Sequence, residues 1–187
     1  ASSAAAKANQ LLGIIRRSFA SLTASSLPLL YKTLIRPHLE FGNSVWGPMS
    51  KGDQKLVEKV QRRATKLVPE LRTRPYKERL QELRLPSLTY RRLRGDMIVI
   101  YQILHRLLDV DQDMLQLSTT RHTRGHDFKL DILRARTLPR RHFLSVRAAA
   151  TWNGLPASVV SAPSLVSFKS RIDTHWKDIQ YNSVFDD

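Results

Sequence analysis

Asp53-Gln54-Lys55-Leu56-Val57-Glu58-Lys59-Val60-Gln61-Arg62-Arg63-Ala64-Thr65-Lys66-Leu67-Val68 decides how the rest of the chain reads. Leu56, Val57, Val60, Ala64 and Leu67 recur at three- and four-residue intervals, the spacing of one helix face. Lys55, Lys59, Arg62, Arg63 and Lys66 recur at the same intervals on the other side. Only Glu58 offsets those five cations. A helix is expected across 53–68, opened by Asp53 or Ser50 and stopped by Pro69. Its charged face suits phosphate better than an ordinary solvated surface.

The same period extends in both directions. Upstream, residues 4–20 predict a helix with Leu11, Leu12, Ile15 and Phe19 inward. A break follows at 21–26, where Ser25 or Ser26 is placed to cap the next helix. That helix is expected from Leu27 to Phe41, with Leu30, Leu34 and Leu39 inward and a kink at Pro37. Residues 42–48 read as a loop. Downstream, a short helix at 75–84 precedes a long one at 87–108 that buries Leu88, Leu93, Ile98, Tyr101, Leu104 and Leu108. The alternation over 126–132 suggests a short strand, and helices are expected at 140–151 and 164–177.

The fold class is therefore mainly α. A helical bundle over 1–110 is expected, then a linker over 111–125. A smaller α or α+β region over 126–187 follows, with at most a short strand pair. Trp46, Trp152, Trp176, Tyr31, Phe41 and Tyr101 are expected in cores, and His38 at a buried polar hinge. The first residues read as mid-helix, so the chain is expected to be cut from something longer.

Charge bounds the partner. The chain carries 31 Lys+Arg against 16 Asp+Glu, a formal +15. The imbalance sits mostly in the first part, +12 over 1–110 against +3 over 111–187. Arginine outnumbers lysine by 21 to 10, and its planar fork grips phosphate oxygens in pairs. A polyanion is the expected partner. The absence of cysteine excludes disulfides and thiolate metal sites. No apolar run approaches the roughly 20 residues that span a bilayer, and the basic faces lack the aromatic wedge of a membrane-surface helix.

Several motifs, in one order, resemble a known family. They begin with Lys7-Ala8-Asn9-Gln10-Leu11-Leu12-Gly13-Ile14-Ile15-Arg16-Arg17 and Leu30-Tyr31-Lys32-Thr33-Leu34-Ile35-Arg36-Pro37-His38-Leu39-Glu40-Phe41-Gly42. Val57-Glu58-Lys59-Val60-Gln61-Arg62-Arg63-Ala64-Thr65-Lys66 comes next, then Leu85-Pro86-Ser87-Leu88-Thr89-Tyr90-Arg91-Arg92 with Gly95-Asp96-Met97-Ile98. Arg124-Gly125-His126-Asp127-Phe128, Thr151-Trp152-Asn153-Gly154-Leu155-Pro156 and Ser167-Phe168-Lys169-Ser170-Arg171 close the series. The series resembles the segment after the palm in non-LTR, LINE-type (Jockey-like) retrotransposon reverse transcriptases. It covers about residues 5–177, with Phe41 where the family has Tyr and Ser44 where it often has Cys. The resemblance implies a thumb and post-thumb segment on the template–primer duplex. It also implies a parent RNA-directed DNA polymerase whose palm and fingers are its partners, and a nuclear location with cytoplasmic transit.

No catalytic centre is expected within the chain itself. Two-metal polymerisation needs clustered carboxylates, and Asp186-Asp187 is an acidic tail without a partner Asp. The six His are scattered, with no His-x-x-x-His pair on an expected helix face and no Cys beside them, there is no glycine-rich phosphate loop, and His126-Asp127 reads as backbone capping. No cofactor, metal or small-molecule substrate is implied. RNA, DNA or an RNA–DNA hybrid is the expected partner. Its contacts are expected from Lys55, Lys59, Arg62, Arg63, Lys66, Arg91, Arg92 and Arg94, with Arg121, Arg124, Arg140 and Arg141 in a second basic stretch. Cations at 91–94 open a helix and oppose its dipole, which hints at an anion there. The second stretch reads equally as a template-contacting loop set or a flexible basic linker. A domesticated fragment acting as a protein-interaction or structural module is the alternative function.

Overall fold

A computed structural model describes residues 1–43, 50–111, 114–118 and 125–185. It is mainly helical, with no strand longer than a single bridge among those residues. Two compact units form. The first comprises Ala1–Arg92 with Asp178–Asp187, and the second Leu93–Lys177. The sequence placed the division near 110. It falls instead within a helix, because Met97, Ile100, Tyr101 and Ile103 belong to the second core while Leu88 belongs to the first.

In the first unit, α1 (Ser2–Ser18) buries Ala5, Ala8, Leu12 and Ile15. The stripe is rotated from the expected one. Leu11 only borders the core, and Phe19 is exposed just past the helix end. The two buried alanines let neighbouring helices approach closely.

The expected 27–41 helix is present but interrupted. α2 (Ser26–Leu30) passes into a π-helical turn (Tyr31–Ile35) and then α3 (Arg36–Glu40). Pro37 has no amide donor, so the ladder around it is rebuilt with the Arg36 amide reaching back to the Tyr31 carbonyl. The wider turn keeps Leu27, Tyr31, Ile35 and Leu39 on one side at four-residue spacing. Leu34, expected inward, is therefore exposed, and so are Phe41 and His38. Trp46 lies outside the described residues.

Helix α4 (Lys51–Ala64) starts at Ser50, whose hydroxyl accepts the Asp53 amide at 3.0 Å. It continues into a 3-10 turn (Thr65–Leu67), and Pro69 opens the next one (Pro69–Leu71). α5 (Tyr76–Glu82) and α6 (Leu88–Leu104) follow. Both end in the same way. After α5, the Leu85 amide reaches the Leu80 carbonyl and the Arg84 amide the Gln81 carbonyl. After α6, Leu107 reaches Gln102 and Arg106 reaches Ile103. This pair of hydrogen bonds needs a left-handed residue, and Arg84 (φ 47) and Arg106 (φ 55) supply it where glycine is usual. The segment after residue 177 returns to the first unit. The Ser87 amide donates to the Gln180 carbonyl at 3.1 Å, Lys77 donates to the Asn182 side chain at 2.9 Å, and Phe185 meets Tyr76 edge-on.

In the second unit, α7 (Leu138–Arg141), α8 (Leu144–Arg147) and α9 (Ala149–Asn153) replace the expected single helix at 140–151. Extended backbone at Phe143 (ψ 141) separates the first two. α10 (Ala157–Val160) precedes α11 (Leu165–His175), where Ser164 accepts the Ser167 amide. Trp152 and Phe168 are fully buried, and Tyr101 stacks on Phe168 with ring centres 4.3 Å apart. Trp176 packs at the edge of this core. The expected strand at 126–132 is reduced to one antiparallel bridge, Leu117 with Leu130. The other edge of Leu130 is taken by the Asn153 amide, which bonds both its N–H and its carbonyl at 2.8 Å. A side chain occupies the place of a second strand. His126 is buried, with a ring nitrogen 3.2 Å from the Trp152 carbonyl.

Candidate nucleic-acid interface

The inner side of α4 is polar as well as apolar, which its periodicity did not show. Glu58, Gln61 and Thr65 are fully buried beside Val57, Val60 and Ala64. Glu58 accepts the Tyr76 hydroxyl at 2.7 Å and the Leu88 amide at 3.1 Å. Burial pushes its carboxyl above the usual 4.5, against the pull of the Tyr76 bond and of Arg92. Gln61 accepts the Tyr31 hydroxyl at 2.6 Å and donates to the Pro86 carbonyl at 3.0 Å. α4 is thus fixed in rotation about its own axis by named bonds.

That rotation sets the charge pattern. Glu58 faces the core and does not screen the basic face. Lys55, Lys59, Arg62, Arg63 and Lys66 are all exposed; the first four fall within about 100° of arc at 3.6 residues per turn, and Lys66 follows in the 3-10 turn. Among the described residues none of the five pairs with a carboxylate: Arg63 bonds the Asn9 side chain at 2.9 Å, and Arg62 lies over the Phe185 ring at 4.9 Å.

Two of these cations also line a cleft. Asn9, Leu12, Gly13 and Arg16 of α1 face Arg63, Lys66, Leu67 and Arg72 across about 470 Å³. Four cations line it and no acid does. Arg16 and Arg72 were not singled out from the sequence. They come from stretches 56 positions apart and converge only because α1 packs on α4. The legible signal was Gly13, an unfavourable residue in the middle of a helix.

The cations at the start of α6 are placed differently. Arg91 makes a two-pronged pair with Glu40, its Nη2 at 2.8 Å. Arg94 does the same with Asp173, Nη2 again at 2.8 Å. Arg92 bears on Glu58. The anion that the helix dipole calls for is Glu58 itself, at the Leu88 amide. A protein carboxylate therefore answers the hint of a phosphate at 91–94. Arg147 is likewise held by Asp96, at 2.7 and 2.9 Å.

Of the second basic stretch, Arg121 and Arg124 lie outside the described residues, as do Asp186 and Asp187. Arg140 and Arg141 are exposed on α7, and the Arg141 Nε donates to the Ala135 carbonyl at 3.0 Å. They belong to the second unit and Lys55 to Lys66 to the first.

Arg79 is buried in α5 over the Tyr76 ring, and its Nη1 donates to the Arg74 carbonyl at 3.1 Å. Its Nε and Nη2 find no acceptor among the described residues. Burial and then the Arg62 charge lower its proton affinity. No group of three or more His, Asp or Glu among the described residues could hold a metal ion, and no described helix is long and apolar enough to cross a membrane. No protein family, curated protein or solved structure matches this chain.

Proposed function

We propose that the chain binds the sugar–phosphate backbone of nucleic acid, through the basic face of α4, as a non-catalytic thumb-like segment of a LINE-type reverse transcriptase. One observation carries the binding: Lys55, Lys59, Arg62, Arg63 and Lys66 are exposed along one side and, among the described residues, none of them pairs with a carboxylate, while Glu58 is buried in the core. An uncompensated stripe of that kind gains free energy when phosphates displace condensed counterions. The order of the family-like motifs supports the polymerase origin. The template–primer hybrid is the partner that origin implies, and readout of base sequence is no part of the reading.

Fluorescence anisotropy with an RNA–DNA hybrid tests it. Log K should fall with log salt at a slope of roughly −4, near −0.9 per phosphate engaged. Charge reversal by Arg62→Glu, Arg63→Glu and Lys66→Glu together should cost at least about tenfold more than Arg94→Gln, since Arg94 already has its acid. A slope shallower than about −1, or equal effects of the two variants, refutes the assignment.

A second reading, a protein-interaction module, rests on Leu29, Leu34 and Phe41, which are 66%, 44% and 86% exposed in the first unit. It requires a folded chain with no affinity for the hybrid.

A further inference from the structure

The cleft between α1 and α4 asks for more than a passing backbone. We propose that it takes the phosphorylated end of a nucleic-acid strand, seating one terminal nucleotide. The inference rests on the nucleic-acid reading above and names the part of the strand involved.

Three features support it. First is charge. Arg16, Arg63, Lys66 and Arg72 line one space without an acid. An internal phosphodiester brings a single negative charge, whereas a terminal phosphomonoester carries about −1.5 to −2 near neutral pH. Four converging cations suit the larger charge, and three of them have no bonded partner elsewhere among the described residues. Arg63 is the fourth, and the Asn9 side chain holds its guanidinium at 2.9 Å, so less freedom is lost when an anion arrives.

Second is size. A volume of about 470 Å³ falls within the range of small-ligand pockets and is too confined for a run of several nucleotides. Leu67 and, to a lesser degree, Leu12 add apolar lining against which a sugar or base can rest.

Third is Gly13. Glycine in a helix interior costs roughly 0.5–1 kcal/mol relative to alanine. A Cβ here would meet only the Arg17 guanidinium, at 3.6 Å, so packing does not demand the glycine. It lines the cleft, where a longer side chain would occupy the space.

The test compares 12-nucleotide RNA strands bearing a 5′-phosphate, a 3′-phosphate or only hydroxyl ends, by anisotropy against the full chain. At least one phosphorylated strand should bind roughly tenfold tighter than the hydroxyl strand, about the worth of one charge-assisted hydrogen bond. Arg16→Gln with Arg72→Gln should abolish that gain. Gly13→Leu should abolish it too, without removing a charge. Thermal melting shows whether either variant is folded, and the arginine pair, on exposed positions, decides if the leucine variant is not. If all three strands bind equally well to the native chain, the terminal site is overturned while backbone binding stands. If the gain survives in the arginine variant, the phosphate sits elsewhere and the cleft assignment fails. If no strand binds, the terminal site falls, and the titration with the RNA–DNA hybrid decides the backbone reading on its own.

Discussion

Replacing Glu58 by alanine should destabilise the chain by about 3–5 kcal/mol. The figure follows from its partners. The carboxylate is fully buried and accepts the Tyr76 hydroxyl at 2.7 Å and the Leu88 amide at 3.1 Å. Without it, two buried donors lose their acceptor, each at a cost of roughly 1–3 kcal/mol, and the start of α6 loses its anion. Glu58→Gln keeps one acceptor and should lose less, roughly 1–3 kcal/mol. Urea unfolding followed by far-ultraviolet circular dichroism reads both. A pH series adds an independent check. Burial raises the carboxyl above 4.5 in the folded chain. Below 4.5 both folded and unfolded chains hold the proton. As pH rises from there, the unfolded chain releases it first, so the Glu58 contribution to stability falls until the folded value is passed, then levels off. Glu58→Gln should lack that decline. A loss under about 1 kcal/mol for the alanine variant, or parallel pH profiles for native and glutamine chains, would show that Glu58 does not join α4 to Tyr76 and α6 as described.

Arg84→Gly and Arg106→Gly should each stabilise by roughly 1 kcal/mol by relieving a left-handed side-chain-bearing residue; equal or lower melting temperatures would count against the two helix-end assignments. Arg147→Met should cost about 3 kcal/mol because it strands Asp96, which is only 8% exposed. Adding Asp96→Asn should recover part of that loss, and a double variant worse than the sum of its parts would refute the pairing.

How much of this was legible depended on distance along the chain. The place of α4 and its basic outer face followed from local periodicity, as did the start of α11 at Ser164, but α4 ends at Ala64, short of the expected Val68. An interruption near Pro37 was legible, but not its form, a π-helical turn at Tyr31–Ile35. That turn puts Ile35 rather than Leu34 in the core beside Tyr31, and leaves Leu30 at its margin. Phe41 looked like core by type and is exposed. The larger misreading concerned charge. Arg91 and Arg94 resembled free cations because their acids, Glu40 and Asp173, lie 51 and 79 positions away. Glu58 looked like a surface counter-charge because its partners come from α5 and α6. Local pattern shows which side of a helix is wet; it cannot show which charges are already spent inside the fold.

The return of residues 178–185 to the first unit matters during synthesis. Ser87, Lys77 and Tyr76 leave the ribosome long before the segment that bonds them. The second unit, emitted in between, has to be made before the first can close. Until then Tyr76 lacks its Phe185 neighbour and the Ser87 amide lacks the Gln180 carbonyl. A chain interrupted after the second unit would therefore carry an open seam in the first, beside the helix that presents the cations.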